Sequence, residues 1–152
     1  MKKTMFTMAI SLVLGFGTAW AYEGTPLTPE ISNSFQKEFS NAKNVNWQNK
    51  DSYSVASFTW NNQVLYAYYL TNGRLDAVTH NILSDNLPIM LFAQIKNNYS
   101  GYWITDLHES VSNGHSSYFI TLENGDKKLM MKSNSFNEWD LIKTISKDTQ
   151  QI

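Results

Sequence analysis

One pattern occurs twice in this chain, with an offset of about sixty residues: a short amphipathic helix followed by four strand segments separated by turns. Each predicted helix has an apolar stripe with a spacing of four residues, formed by Ile31, Phe35 and Phe39 in the first and by Leu91, Ile95 and Tyr99 in the second. Such a stripe covers one side of a helix, which must then pack against a sheet. The sequence therefore predicts an internal duplication.

Tight turns separate the strand segments, and three of the four carry Asn-Gly: Asn72-Gly73, Asn113-Gly114 and Asn124-Gly125, beside Asn61-Asn62. Asn-Gly between alternating runs is typical of β-hairpins, because type I′ turns need positive φ at both central residues. For the last of these turns we predict a three-residue loop, Glu123-Asn124-Gly125, with Gly125 in the left-handed region. The fold class expected is α+β: tandem α-β4 units with both helices on one face of an eight-stranded antiparallel sheet.

The segment 136–146 fits two structures. Trp139, Leu141 and Ile145 alternate as they would in a strand, whereas Ser135 and Glu138 have the spacing of a capping box at the start of a helix. The duplication favours the strand.

The first 21 residues have the pattern of a secretory signal peptide. Lys2 and Lys3 precede an apolar run at 5–16, and Ala19-Trp20-Ala21 provides the small residues of a cleavage site. The run is shorter than the roughly 20 residues that span a membrane. The expected organisation is a signal peptide at 1–21, a lead-in segment at 22–30, one domain at 31–146 with repeats at 31–84 and 87–146, and a tail at 147–152.

Cleavage after Ala21 would leave a cysteine-free chain in an oxidising compartment. Lipid attachment to a cleavage-site cysteine is excluded, as are disulfides and cysteine-based metal sites. Without Lys2 and Lys3, the 12 basic residues become ten against 13 acidic ones, a net charge of −3. This balance argues against nucleic acid or an anionic membrane surface as the partner. The mature protein is expected to be periplasmic or secreted.

The hairpin at 53–70 carries aromatic residues on both faces. Pairing across Asn61-Asn62 places one set of side chains under the helix and the other on the opposite face, which should carry Tyr53, Tyr66 and Tyr68. Alternation in the second half adds Tyr102, Ile104 and Phe119 to that face. A bare face rich in tyrosine is typical of a recognition surface, but tyrosine also suits a strand through its fit to the pleat.

Three short motifs resemble the PepSY-like family of bacterial periplasmic proteins, also described as β-lactamase-inhibitor-protein-like (BLIP-like). They are Asn-Ala-x-x-Val-x-Trp at 41–47, the hairpin Tyr66-Ala67-Tyr68-Tyr69 before Asn72-Gly73, and Tyr-x-Gly-Tyr at 99–102. The resemblance covers about residues 31–145. It implies a tandem α-β4 fold whose sheet has an open concave face, the shape with which inhibitors of this kind clamp a target enzyme. The chain departs from the family at 134–137, where an Asp-Gly turn is usual.

Residue types used in catalysis do not converge in this sequence. Along one strand Asp106 and His108 face one way and Glu109 the other, and His115 falls about 13 Å from His108 at 3.4 Å per residue, too far to share a metal ion. We therefore expect no catalytic residues, no cofactor and no metal.

The favoured hypothesis is a non-catalytic binding protein that engages a protein partner, such as an enzyme it inhibits, through Tyr53, Tyr66, Tyr68, Tyr102 and Phe119. Two alternatives remain open: a carrier of a small apolar or peptide ligand, and a protein that associates with its own copies.

Overall fold

The computed structural model describes residues 27–135 and 137–147. The predicted signal peptide, residues 22–26 of the lead-in segment and residues 148–152 of the tail lie outside the described residues. Among the residues described, no helix has the length and apolar character needed to cross a membrane.

Within residues 27–135 and 137–147, two helices and eight strands follow one another in the predicted order. The first half contains α1 (Pro29–Glu38), β1 (Lys43–Asn49), β2 (Tyr53–Trp60), β3 (Gln63–Leu70) and β4 (Leu75–Asn81). After a 3-10 turn at Ser84–Asn86 come α2 (Ile89–Asn98), β5 (Trp103–Ser112), β6 (His115–Glu123), β7 (Lys127–Ser133) and β8 (Trp139–Ser146). All eight strands form one antiparallel sheet in sequential order, from β1 at one edge to β8 at the other.

The helix α1 packs on the first half of the sheet through its predicted apolar stripe. Phe35 contacts Phe58 edge to face at 5.0 Å between ring centroids, and Phe39 contacts the same ring at 4.7 Å. Ala56 and Ala67, both fully buried, leave the space that these rings fill. Edge-to-face rings of this kind are worth about 0.5–1.5 kcal/mol each beyond the area they bury.

The helix α2 packs on the second half in the same way, with an aliphatic floor. Leu91 and Ile95 are buried, and the second core cluster contains Leu107, Ile120 and Leu122. Val78 in β4 lies opposite Val111 in β5, and facing residues of a sheet point to the same side. Both helices therefore lie on the same face of the sheet. The opposite face is called the open face below.

The segment 136–146 is a strand from Trp139 onward, which confirms the choice favoured by the repeated pattern. The indole Nε1 of Trp139 donates a hydrogen bond of 3.0 Å to the carbonyl oxygen of Leu91 in α2, which ties this last strand to the helix.

Two turns have positive φ at both central residues, as type I′ requires, whereas at Asn72-Gly73 only Gly73 has positive φ, which corrects the type I′ prediction there. Asn61 and Asn62 both have positive φ, as do Asn113 and Gly114. The loop after β6 spans 124–126 instead of 123–125, and Gly125 is not left-handed. There the Asn124 side chain accepts hydrogen bonds from the backbone N–H groups of residues 126 and 127, so an Asx-type turn reverses the chain.

A β-bulge interrupts the first strand of each half. In β5 the register moves from Ile104 opposite Leu122 to Asp106 opposite Thr121, so Thr105 is the extra residue. In β1 the register shifts in the same manner between Lys43 and Asn46. Because side chains alternate along a strand, one extra residue exchanges the two faces for everything upstream of it.

Candidate functional site

The open face in the first half is a tyrosine cluster formed by Tyr53, Tyr66 and Tyr68, as predicted. In the register of β2 and β3, Tyr53 lies opposite Leu70, Val55 opposite Tyr68, and Ser57 opposite Tyr66. The rings of Tyr53 and Tyr68 are 6.2 Å apart between centroids. Three aromatic side chains thus meet on the side of the sheet opposite α1 and α2.

The three tyrosines differ in exposure. Tyr53 and Tyr66 are half-buried, whereas Tyr68 is only 6% exposed. Burial raises the pKa of the Tyr68 phenol, although a hydrogen bond with Thr79 acts in the opposite direction. Tyr68 therefore forms the base of the cluster, and Tyr53 and Tyr66 present its accessible surface.

Next to the tyrosine cluster the open face has a floor of small side chains. Tyr68 lies opposite Ala77, Tyr66 opposite Thr79, and Thr79 opposite Ser110 in the neighbouring strand. Ala77, Thr79 and Ser110 are all buried, although they lie on the side of the sheet opposite α1 and α2. Small side chains therefore extend from the tyrosine cluster across β4 and β5, and this part of the open face is called the trough below.

Diagonal to the trough lies a stack of His108 and Phe119, which are opposite each other in β5 and β6, while Asn81 lies opposite His108 in β4. The two rings are parallel within 7°, with centroids 5.0 Å apart. The ammonium group of Lys132 lies 5.3 Å from the Phe119 centroid, and His108 Nδ1 lies 3.1 Å from Asp106 Oδ2. Each ring of the stack therefore has a charged neighbour, Lys132 beside Phe119 and Asp106 beside His108.

The predicted position of Tyr102 and Ile104 on the open face is wrong. The extra residue at Thr105 turns Tyr102 toward the helices, where it packs against the second core cluster and contacts Tyr99 at 6.0 Å between ring centroids. Ile104 lies opposite Leu122, a residue of the same core. Simple alternation along 102–108 cannot detect a bulge, because the extra residue has no distinctive side chain.

The bulge places Trp103 on the open face instead of Tyr102. Trp103 lies opposite Glu123 and is 52% exposed. The ammonium group of Lys147 is 5.4 Å from the indole centroid and also pairs with Glu123, as does Lys128 at 2.9 Å. Hydrogen bonds from Lys147 and Lys128 lower the pKa of the Glu123 carboxyl. This exposed indole is the aromatic residue that the sequence interpretation missed.

The acid and base residues are divided between the two faces, as alternation predicts. Asp106 and His108 lie on the open face, and Glu109 lies on the helix side, where His80 Nε2 approaches its carboxylate at 3.6 Å. Tyr118 shares a hydrogen bond with the same carboxylate. Within the described part of the chain, no three His, Asp or Glu side chains come together as a metal-binding group.

Comparison with known proteins identifies the fold. No family profile and no curated protein matches the sequence. Solved structures do match: a DUF2874 family protein from Bacteroides uniformis (TM-score 0.68, 16% identity, 80% of this chain and 90% of that chain) and a BLIP-like protein from Bacteroides fragilis (TM-score 0.66, 18% identity, 82% and 89%). A Bacteroides eggerthii protein assigned to the periplasm gives a TM-score of 0.68 at 12% identity, over 80% of this chain and 90% of that chain.

The chain is thus similar along most of its length to a group of small bacterial proteins built on one open antiparallel sheet. Its fold is the BLIP-like fold, as the sequence resemblance implied. At these identities the likeness shows the fold, and function must be argued from the surface itself.

Proposed function

We propose that this protein is a non-catalytic binding protein of the periplasm or the extracellular space, which engages a protein partner through its open face. The observation that carries the proposal is the trough itself. Tyr66 lies directly beside its floor with Tyr53 in the same cluster, the stack of His108 and Phe119 lies diagonal to it, and Trp103 lies exposed further along β5. Large aromatic side chains beside a floor of small residues are typical of protein recognition surfaces.

The anchors we propose are Tyr53, Tyr66, Phe119 and Trp103. Tyrosine and tryptophan provide large contact areas with few rotatable bonds, so binding costs little side-chain entropy. Tyr68 supports the cluster from below and offers little surface of its own. An enzyme that the protein inhibits is one partner compatible with this surface, by analogy of fold with the BLIP-like neighbour.

A site-specific crosslinking experiment tests this proposal. A photoreactive amino acid replaces Tyr66, the accessible tyrosine, and crosslinks are collected in the periplasm of the native host. The matched control carries the same group at Gln36, an exposed residue of α1 on the opposite side of the molecule. We expect one dominant protein adduct from position 66 and none of that mass from position 36.

A competition step makes the result specific. Unlabelled native protein should suppress the adduct, and a Tyr53→Ser/Trp103→Ser variant should suppress it at least tenfold less well. Adducts of equal yield from positions 66 and 36 would contradict the proposal. A bound mass of a few hundred daltons in native mass spectrometry, without a protein adduct, would favour a small-ligand carrier instead.

We further propose that the two halves are copies of one ancestral unit. Both consist of one helix and four strands, and both carry a bulge near the start of the first strand. We also propose that the first 21 residues are removed during export. The mass of the protein recovered from the periplasm tests this, since cleavage after Ala21 predicts a chain that begins at Tyr22.

A further inference from the structure

The strand β8 is an edge of the sheet with two exposed apolar residues at its centre. Among the strands of the described residues, its only neighbour is β7. Leu141 is 59% exposed and Ile142 is 54% exposed. A strand edge of this kind presents unpaired backbone groups that can pair with another strand.

The charges on β8 are complementary to those of a second, antiparallel copy of β8. Asp140 precedes the apolar pair and Lys143 follows it. When Leu141 of one copy lies opposite Ile142 of the other, Asp140 of each copy lies opposite Lys143 of its partner. Both residues belong to the open face, because Asp140 lies opposite Lys132 and Lys143 lies opposite Met130.

The hydrogen bonds at the two ends of β8 indicate which of its backbone groups face β7. The N–H of Asn134 donates to the carbonyl oxygen of Glu138, and the N–H of Lys147 donates to that of Asp126. Backbone groups of an antiparallel strand point alternately to its two neighbours, so Asp140 and Lys143 turn theirs toward β7. Between these two residues the register of β7 and β8 shifts by one, so β8 has a β-bulge there, and the proposed pairing requires both Leu141 and Ile142 to turn their backbone groups toward the free edge.

We propose that β8 is a self-association edge, at which two copies of this protein join their sheets antiparallel around a two-fold axis. Leu141 and Ile142 of the two copies pair at the centre through backbone hydrogen bonds. Asp140 and Lys143 form an ion pair on each side, at positions where the side chains of facing residues are closest. The axis is perpendicular to the sheet, so the two open faces lie on the same side and form one continuous surface with two troughs.

A charge exchange tests the register. In the dimer, Asp140→Lys places two lysines opposite each other at both ion pairs, and Lys143→Asp does the same with two aspartates. Like charges in directly facing positions are destabilising, so each single variant should weaken dimerisation about tenfold. The double variant Asp140→Lys/Lys143→Asp restores complementarity and should regain the native dissociation constant within about threefold.

The measurement is molar mass by light scattering after size-exclusion chromatography, over a dilution series. Unfolding in urea shows whether each variant is folded. A native protein that stays monomeric at 500 μM would overturn the proposal. Dimerisation that neither single variant weakens, or that the double variant fails to restore, would overturn this register.

Cysteine crosslinking gives an independent check, because the native chain has no cysteine. A mixture of Asp140→Cys and Lys143→Cys proteins should form an intermolecular disulfide rapidly, since facing strand residues have Cα atoms within disulfide range. Asp140→Cys alone places the two thiols about three residues apart along the edge, roughly 10 Å. Equal crosslinking in the mixture and in the single variant would contradict the proposed pairing.

Discussion

Trp103 lies directly opposite Glu123 in the sheet, and Lys147 joins the two by pairing with the carboxylate and by placing its ammonium group 5.4 Å from the indole. The bulge at Thr105 produces this arrangement, because it turns Trp103 outward and Tyr102 toward α2. Neighbouring residues of one strand therefore have different roles, one in the core and one on the proposed binding surface.

The two neighbours should respond oppositely to truncation. Tyr102→Ala should lower the free energy of unfolding by about 2 kcal/mol, since it removes a ring that packs against the second core cluster. Trp103→Ala should change it by less than about 1 kcal/mol, the range of an exposed cation–π contact, while it weakens partner capture. Urea unfolding followed by circular dichroism measures both. A greater loss of stability in Trp103→Ala would contradict the bulged register.

Truncation of Tyr66 and of Tyr68 should also have different effects on stability, although both residues lie on the open face. Tyr68→Ala should cost about 2–4 kcal/mol because the ring is buried and hydrogen-bonded to Thr79. Tyr66→Ala should cost about 1 kcal/mol and should act chiefly on binding. The same unfolding measurement decides, and equal losses in the two variants would show that the cluster has no distinct base.

Much of this architecture could be predicted from periodicity and turn residues. The two helices, the eight strands and the placement of Tyr53, Tyr66 and Tyr68 follow from alternation and from turns such as Asn61-Asn62, which fix the register of their hairpins. Local pattern and global fold agree at these positions, so the local pattern is a reliable guide.

The rest could not be predicted, for reasons that are also physical. The bulge at Thr105 inserts one ordinary residue, and alternation is then wrong by one position for Tyr102 and Trp103. The burial of Tyr68 depends on neighbours in β4 that are distant in sequence. The exposed position of Trp103, a proposed anchor, could not be predicted because it depends on a backbone irregularity.

A comparison of alanine substitutions at Gly73 and Gly114 tests whether α1 packs against the turn that contains Gly73. Both have positive φ, +82° and +76°, so a Cβ strains each turn by about 1–2 kcal/mol. A Cβ at Gly73 would also lie 2.9 Å from the Glu30 Cβ and 3.0 Å from the Glu30 backbone, whereas Gly114 has open space around it. Gly73→Ala should therefore destabilise the protein by at least about 1 kcal/mol more than Gly114→Ala. Equal effects in thermal unfolding would show that α1 does not rest on this turn.

Tyr69 gives a prediction for alkaline pH. Its ring is fully buried in the first core, and its hydroxyl has no hydrogen-bond partner among the described residues. Burial, and to a lesser degree the charge of Glu38, raises the pKa of the Tyr69 phenol well above its ordinary value near 10. In the unfolded chain this phenol ionises near pH 10, while in the folded protein it stays protonated. The stability that it contributes is therefore complete below pH 10 and is lost as the pH rises above that value.

Tyr69→Phe removes this titration and leaves the packing of the ring in place. At pH 7 the variant should be as stable as the native protein or slightly more stable, because the lost hydroxyl is buried without a partner. Between pH 10 and pH 11 the native protein should lose more stability than the variant, by about 1 kcal/mol, because the unfolded phenol is half ionised at pH 10 and almost fully ionised at pH 11. Urea unfolding at pH 7, 10 and 11 measures the difference, and parallel losses in both proteins would show that the Tyr69 phenol reaches solvent or a hydrogen-bond partner in the folded state.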